Sequence, residues 1–119
     1  MNVKRHPLER SPTPPSAHIR ELLEATRLTQ DQLADALGVS RLTVNQLVND
    51  KRAITPDMAV RLEKLTGISA SHWLTLQQNY DLWWARQKGA AEHQKVRRLP
   101  TRFDVDVFEQ LAQEADPYP

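Results

Sequence analysis

Apolar residues recur every three or four positions between residues 16 and 88, and no segment alternates apolar and polar residues for long enough to predict a strand. The pattern predicts an all-α domain of five helices. Each helix has a start signal in a serine, a threonine or a Thr-Pro pair. The predicted starts are Ser16, Thr29, Ser40, Thr55 and either Ser69 or Ser71. Gly38 and Gly67 end the second and fourth helices, and the fifth extends to about Lys88.

The same periodicity assigns an inward face to each of the first four helices. In chain order these faces are Ile19, Leu22 and Leu23; Leu33, Ala34 and Leu37; Val44, Leu47 and Val48; and Ala59, Leu62 and Leu65. Hydrophobic residues make up 39% of the chain and include only two Phe. The core is therefore expected to be small and to consist mainly of Leu, Val, Ala and Trp.

Both ends of the chain differ from its helical middle. Four of the eight prolines fall within the first 15 residues, which predicts an extended arm over residues 1–15. Residues 86–102 are basic and residues 103–119 are acidic, which predicts a flexible, charge-segregated tail over residues 89–119. The helical domain between the arm and the tail is assigned to residues 16–88.

Composition excludes several classes of protein. The chain has no cysteine, so disulfides and thiolate zinc sites are excluded. No apolar run approaches the roughly 20 residues that cross a bilayer, and the N-terminus lacks the apolar stretch of a secretory signal. We therefore expect a cytoplasmic protein without a membrane partner. The four histidines are scattered and no glycine-rich loop is present, so neither a metal, nor a cofactor, nor enzymatic activity is expected.

Residues 30–49 carry the strongest functional signal. Two short predicted helices meet across Gly38-Val39-Ser40, and the small residue Ala34 lies where they approach each other. Val44 and Leu47 follow Ser40 by four and seven residues and face inward. This spacing is typical of a helix-turn-helix, in which the second helix enters the major groove of DNA.

The outer face of the second helix of this motif predicts DNA contacts. Arg41 can donate two hydrogen bonds to guanine, Gln46 can pair with adenine, and Leu42 can contact a thymine methyl group. Asn45 completes the predicted base-contacting set. A second set is placed for phosphates, which hold the register without reading sequence. Its members are Thr29, Gln30, Ser40, Thr43, Asn49, Lys51 and Arg52.

Aromatic residues share one face of the predicted fifth helix. A helix turns by 100° per residue, which places the following residues on one side of it: Trp73, Leu76, Tyr80, Trp83 and Trp84. A small domain has limited interior for three Trp, and Trp and Tyr are enriched at interfaces. The pattern predicts the subunit interface of a homodimer, with burial in the core as the alternative.

The segment SRLTVNQLVNDKR resembles the recognition-helix region of the lambda-repressor-like, Xre-type helix-turn-helix family. Residues 54–88, which contain TPDMA and YDLW, are similar to the C-terminal half of HigA-type antitoxins. One departure is Asp50, where family members commonly carry glycine. Asn49 is therefore expected to adopt the left-handed backbone conformation in its place.

The resemblance implies an antitoxin that neutralises a HigB-type, RelE-like mRNA-cleaving toxin and represses its own operon. It also implies a homodimer on a palindromic operator, with recognition helices about 34 Å apart. Two alternatives stay open: a stand-alone Xre-type repressor without a toxin, and a protein-interaction module that does not bind DNA. Residues 103–116 mix acids with apolar side chains, and either complement a basic toxin or form a solubilising tail.

Overall fold

The computed structural model describes residues 11–99 and, beyond them, residues 106, 109, 110 and 113. Six helices are present in this part of the chain, and it contains no strand. They are α1 (Pro15–Thr26), α2 (Gln30–Leu37), α3 (Arg41–Val48), α4 (Pro56–Thr66), α5 (Ala70–Lys88) and α6 (Ala90–His93). None of the helices among the described residues is long and apolar enough to cross a membrane.

The chain divides into two units, residues 1–89 with α1 to α5 and residues 90–119 with α6. The prediction of an all-α protein is confirmed, and α6 is an addition that the sequence did not indicate. It is a single turn, too short for apolar periodicity to show. Residues 1–10 of the predicted arm lie outside the described residues, as do the tail's Phe103, Val107, Phe108 and Leu111.

Capping side chains set where the helices begin. The Thr29 hydroxyl accepts from the Gln32 backbone N–H at 3.1 Å, and Gln32 Oε1 accepts from the Thr29 N–H at 3.0 Å, which forms a capping box. Ser40, Thr55 and Ser69 each accept a hydrogen bond from the backbone N–H three residues later, as predicted.

The first helix begins differently from the prediction. Its first residue is Pro15, Pro14 holds the cap position, and neither can offer a side-chain hydrogen bond. Ser16, the predicted start, is only 3% exposed and packs inside the first turn. Proline suits the first helical position for two reasons: its fixed φ is already helical, and the backbone N–H that it lacks would have no partner within the helix there.

The core lies where α1, α2, α3, α4 and the first half of α5 meet. The predicted inward residues are confirmed for α2 and α3, and Leu22 and Leu23 of α1 are half-buried against the core. The buried apolar residues are Ile19, Leu33, Ala34, Leu37, Val44, Leu47, Val48, Ile54, Met58, Ala59, Leu62 and Trp73.

The prediction for Leu65 is wrong, since this side chain is 37% exposed. Leu65 lies on the last turn of α4, one turn beyond the fully buried Leu62. There it lines an open groove of about 580 Å³ together with Leu22, Leu28 and Ile68. Periodicity predicts the direction in which a side chain points, but not how far along a helix the neighbouring elements cover it.

Two arginines close the C-terminal ends of the motif helices. Arg61 Nη1 donates to the Leu37 carbonyl at 2.8 Å and to the Gly38 carbonyl at 3.2 Å. Arg20 Nη1 donates to the Val48 carbonyl at 2.6 Å. The last carbonyls of a helix have no partner within it, so these bonds satisfy orphan groups of α2 and α3. They also tie both helices to α4 and α1.

Gln77 holds the chain segment between α3 and α4. Its side chain is 9% exposed, and its Oε1 accepts from the buried Ile54 N–H at 2.8 Å. Its Nε2 donates to Asp81 Oδ1 at 2.9 Å, which fixes the orientation of the amide. The partner residues are 23 positions apart, so this bond is set by the tertiary fold.

Replacing Gln77 with alanine should lower the free energy of unfolding by about 1–3 kcal/mol, because the buried Ile54 N–H would lose its partner. Urea denaturation of the full chain measures this effect. Gln78→Ala is the matched control, since Gln78 is the next residue and is exposed. That control should change the value by no more than about 0.5 kcal/mol. Equal losses in the two variants would contradict this role for Gln77.

Candidate nucleic-acid interface

The turn between α2 and α3 requires glycine for two reasons. Gly38 has a φ of 72°, in the left-handed region that side chains with a Cβ rarely adopt. A Cβ at this position would also lie 3.1 Å from Arg61 Nη1. The Val39 N–H donates to the Ala34 carbonyl at 3.0 Å and completes the reversal of the chain.

Beyond the turn, α3 is divided into a buried side and an open side. Val44 and Leu47 are 0% and 2% exposed and pack into the core. Leu42 is 62% exposed on the other side. Of the other three residues predicted to contact bases, Arg41 and Asn45 are exposed and Gln46 is half-buried.

Side chains at the start of α2 hold two of these groups. Arg41 Nη1 lies 3.3 Å from Asp31 Oδ2, with both side chains about two-thirds exposed. Asn45 Nδ2 donates to Gln30 Oε1 at 3.2 Å. The first turn of α2 and the open side of α3 therefore form one continuous polar surface, called the α2–α3 face below.

The residues predicted to contact phosphates lie around this surface. Thr29 and Ser40 cap the N-terminal ends of α2 and α3, and Ser40 Oγ also lies 3.0 Å from Thr43 Oγ1. Lys51 and Arg52 are exposed on the loop after α3. Arg52 is held by Gln46, whose Oε1 accepts from Nε at 2.9 Å and from Nη2 at 2.7 Å.

Known proteins are similar to this chain in sequence and in fold. The helix-turn-helix family model matches residues 19–73. The antitoxin HigA-1 of Vibrio cholerae is 35% identical over 79 residues, a match that covers 66% of this chain and 74% of HigA-1. A structure of Pseudomonas aeruginosa HigA with the higBA promoter is 34% identical, with a TM-score of 0.70 over 74% of this chain and 98% of that one. The chain belongs to the HigA-type antitoxin family.

The regulator YbaQ of Escherichia coli K12, an HTH-type transcriptional regulator described as uncharacterized, is 40% identical over 71 residues. That match covers 60% of this chain and 63% of YbaQ, so the chain spans less than two thirds of this relative. These relatives are named as regulators and antitoxins rather than as enzymes. The lambda-repressor-like helix-turn-helix fold predicted for α1 to α5 is confirmed.

The loop after α3 corrects the expectation for Asn49 in this HigA-type chain. Asn49 has a φ of −98°, and Asp50 takes the left-handed conformation with a φ of 58°. The Asn49 N–H and Nδ2 both donate to the Asn45 carbonyl, at 3.1 Å and 2.9 Å, which keeps Asn49 on the helical path. Aspartate tolerates the left-handed region better than most residues, which is consistent with its φ of 58°.

A hydrogen bond connects Asp50 to α5. The Tyr80 hydroxyl donates to Asp50 Oδ2 at 2.8 Å. This bond raises the pKa of Tyr80 above its ordinary value, because ionisation would remove the donated proton and put two negative charges side by side. Partial burial of Tyr80 raises its pKa further. The contact depends on the Asp50 carboxylate, which a glycine at this position could not supply.

The aromatic face of α5 changes its environment along the helix. Trp73 is 3% exposed and belongs to the core of its own chain, so it is removed from the predicted dimer interface. Its Nε1 is buried without a hydrogen-bond partner. Leu76, Tyr80 and Trp83 are half-buried, and Trp84 is 38% exposed. The helix is longer than the core beneath it, so its C-terminal half projects beyond the covering elements.

The aromatic rings of that projecting half contact each other. The Trp83 and Trp84 rings meet edge to face at 5.0 Å, and Tyr80 meets Trp84 in the same manner at 6.3 Å. Lys88 Nζ lies 5.3 Å from the centre of the Trp84 ring. These contacts order a partly exposed apolar surface at the end of α5, which also includes Leu82 at 40% exposure.

Three residues support the motif and its following loop in ways that the sequence did not indicate. Asp31 pairs with Arg41, Arg61 holds the turn, and Tyr80 holds the loop after α3. Asp31 precedes Arg41 by ten residues, and the other pairs are separated by more than twenty. Such separations have no periodic signature in a single sequence.

The pKa of Tyr80 should be measurable by alkaline titration of tyrosinate absorbance in a Tyr118→Phe background, since the chain has two tyrosines. It should lie above that of free tyrosine, and Asp50→Asn should lower it towards the ordinary value. Because folding raises this pKa, the stabilisation is present in full below the ordinary tyrosine pKa and is lost as pH rises through the raised value. An Asp50→Asn titration identical to that of the parent would argue against the bond.

Proposed function

We propose that this protein is an antitoxin that neutralises a HigB-type, RelE-like toxin and represses its own operon by binding operator DNA as a dimer. The observation that carries the DNA-binding part is the α2–α3 face, where Arg41, Leu42 and Asn45 are exposed on a helix whose opposite side is buried. A helix with this division is the element that enters the major groove in helix-turn-helix proteins. The family relative solved with promoter DNA supports the same role.

Each exposed side chain offers a different contact to bases. Arg41 presents two parallel donors to guanine O6 and N7, and it leaves only an exposed ion pair with Asp31 to do so. Leu42 contacts a thymine methyl group, which accounts for its exposure. Asn45 offers a donor and an acceptor, the combination that adenine requires.

Phosphate contacts frame the base contacts on both sides. Lys51 and Arg52 supply positive charge from the loop after α3. The N-terminus of α2, at Thr29 and Gln30, adds the partial positive charge of a helix end. Ser40, Thr43 and Asn49 provide further polar groups at the edge of the face. Such contacts position the helix and make affinity depend on salt.

DNA binding should show two distinct mutational patterns on the promoter of the protein's own operon. Arg41→Ala should cost about 1–3 kcal/mol on the operator and little on random DNA, because it removes base contacts. Lys51→Ala should weaken both about equally, because it removes a phosphate contact. Fluorescence anisotropy measures the affinity of each variant for both DNAs over a series of salt concentrations. The slope of log K against log salt concentration should be near −0.9 for each phosphate neutralised.

Two results would count against this assignment. Equal weakening of operator and random DNA by Arg41→Ala would remove Arg41 from the base-reading set. A binding constant that does not change with salt would remove phosphate contacts, and with them DNA, from the account.

Dimerisation is proposed through the projecting half of α5. Leu76, Tyr80, Trp83 and Trp84 remain from the predicted interface, and Leu82 adds to the exposed apolar surface. Aromatic residues of this kind are enriched in interfaces. A two-fold dimer would place two recognition helices about 34 Å apart on successive major grooves of a palindromic operator.

Co-expression of the full chain with the product of the adjacent gene, followed by affinity purification of the chain, tests toxin binding and dimerisation together. Native mass spectrometry should find two copies of this chain with a small basic protein in stoichiometric amount. Recovery of the chain without that protein, although both are expressed, would favour the stand-alone repressor.

Deleting residues 100–119 tests the acidic segment 103–116, and unchanged toxin affinity would remove that segment from the toxin interface.

A further inference from the structure

Gln46 and Arg52 form a pair whose atoms can be assigned from chemistry alone. One oxygen of Gln46 lies 2.9 Å from Arg52 Nε and 2.7 Å from Arg52 Nη2. A guanidinium carries only donors, so the amide atom that faces it must be the carbonyl oxygen. The amide Nε2 therefore points away from Arg52, and the usual ambiguity between the two ends of a glutamine does not apply.

The pair uses the whole accepting capacity of this oxygen. A carbonyl oxygen has two lone pairs, and each of the two guanidinium N–H groups takes one. Bonds to a charged donor are about twice as strong as neutral ones. Gln46 then has only the two N–H donors of Nε2 to offer to a base. It is a donor at the DNA surface, although glutamine is in general both donor and acceptor.

The loop after α3 keeps Arg52 in this position. The backbone N–H of Lys51 donates to the Gln46 carbonyl at 2.8 Å, so the chain returns to the turn of α3 that carries Gln46. The left-handed conformation of Asp50, held by Tyr80, makes this return possible. Arg52 is the next residue, and its guanidinium donates both hydrogen bonds to the Gln46 side-chain oxygen.

A donor-only glutamine distinguishes between purines. Adenine presents the N7 acceptor and the N6 donor, and its two-bond recognition by glutamine needs a free carbonyl oxygen. Guanine presents acceptors at both N7 and O6, so a glutamine that offers only N–H groups meets an acceptor at either atom, whereas at adenine the N6 amino group would face another donor. The expectation from sequence that Gln46 pairs with adenine therefore neglects a partner that only the folded chain provides.

We propose that Arg52 determines the base preference of Gln46: by occupying Oε1, it makes Gln46 select guanine over adenine at the base pair it reads. The inference rests on the proposed operator binding. Arg52 thus has two functions, since its remaining N–H groups stay available for a phosphate. It is a positioning residue for Gln46, and its removal frees the carbonyl oxygen for the adenine amino group.

Selection of randomised operator DNA by the full-length protein, followed by sequencing, tests this inference. The position read by Gln46 is the one whose preference disappears in Gln46→Ala. At that position the unaltered protein should favour guanine over adenine by about tenfold. Arg52→Ala should shift the preference towards adenine by a similar factor.

Lys51→Ala is the matched control, because it removes a neighbouring exposed positive charge and leaves the Gln46–Arg52 pair intact. It should weaken binding to all sequences and leave the base preference unchanged. A preference for adenine in the unaltered protein would overturn the inference. So would an unchanged preference in Arg52→Ala, or a motif unaffected by Gln46→Ala.

The outcomes also separate this inference from the proposed function. If the unaltered protein enriches no sequence, operator recognition itself fails and the inference fails with it. If the unaltered protein enriches a motif and the Arg52→Ala variant enriches the same motif, the proposed function stands and only the role of Arg52 is refuted.

Discussion

The geometry of the motif depends on the backbone at Gly38, where a positive φ reverses the chain between α2 and α3. Arg61 binds the carbonyls on both sides of that reversal and is anchored in turn by Asp57, whose Oδ2 lies 2.8 Å from Arg61 Nε. The turn is thus joined to α4 by hydrogen bonds as well as by apolar packing. The position of α4 therefore constrains the angle between the motif helices and, with it, the α2–α3 face.

The polar surface on those helices is ordered before a ligand arrives. Arg41, Asn45 and Gln46 each have a protein partner, in Asp31, Gln30 and Arg52. Ordering flexible side chains in advance reduces the entropy lost on binding. The partners also restrict which hydrogen bonds these side chains can still make, which is the basis of the proposed role of Arg52 in base preference. An exposed ion pair such as Arg41–Asp31 contributes little to folding stability, and its role is better sought in binding.

The long helix α5 serves two regions of the molecule. Its N-terminal half contributes Trp73 and Gln77 to the core, where Gln77 satisfies a buried backbone N–H. Its C-terminal half carries Trp83 and Trp84, and Tyr80 lies between the halves with its hydroxyl on Asp50. The proposed dimer surface and the loop that carries Arg52 are thereby connected through one residue. Tyr80 contacts Trp84 of this surface on one side and Asp50 of the loop on the other.

The sequence by itself determined that the segments of α1 to α5 are helical, where α2, α3 and α4 begin, and which face of α3 is open. These features follow from local causes: Ser and Thr accept backbone N–H bonds within three residues, glycine permits positive φ, and apolar residues recur with the helical repeat. It also carried enough of the family pattern to indicate the helix-turn-helix. Only the tertiary structure decided that Trp73 belongs to the core, that Leu65 is exposed, and that Arg52 binds the side-chain oxygen of Gln46. Those outcomes depend on which groups meet from distant parts of the chain, and side-chain type and spacing do not encode that information locally.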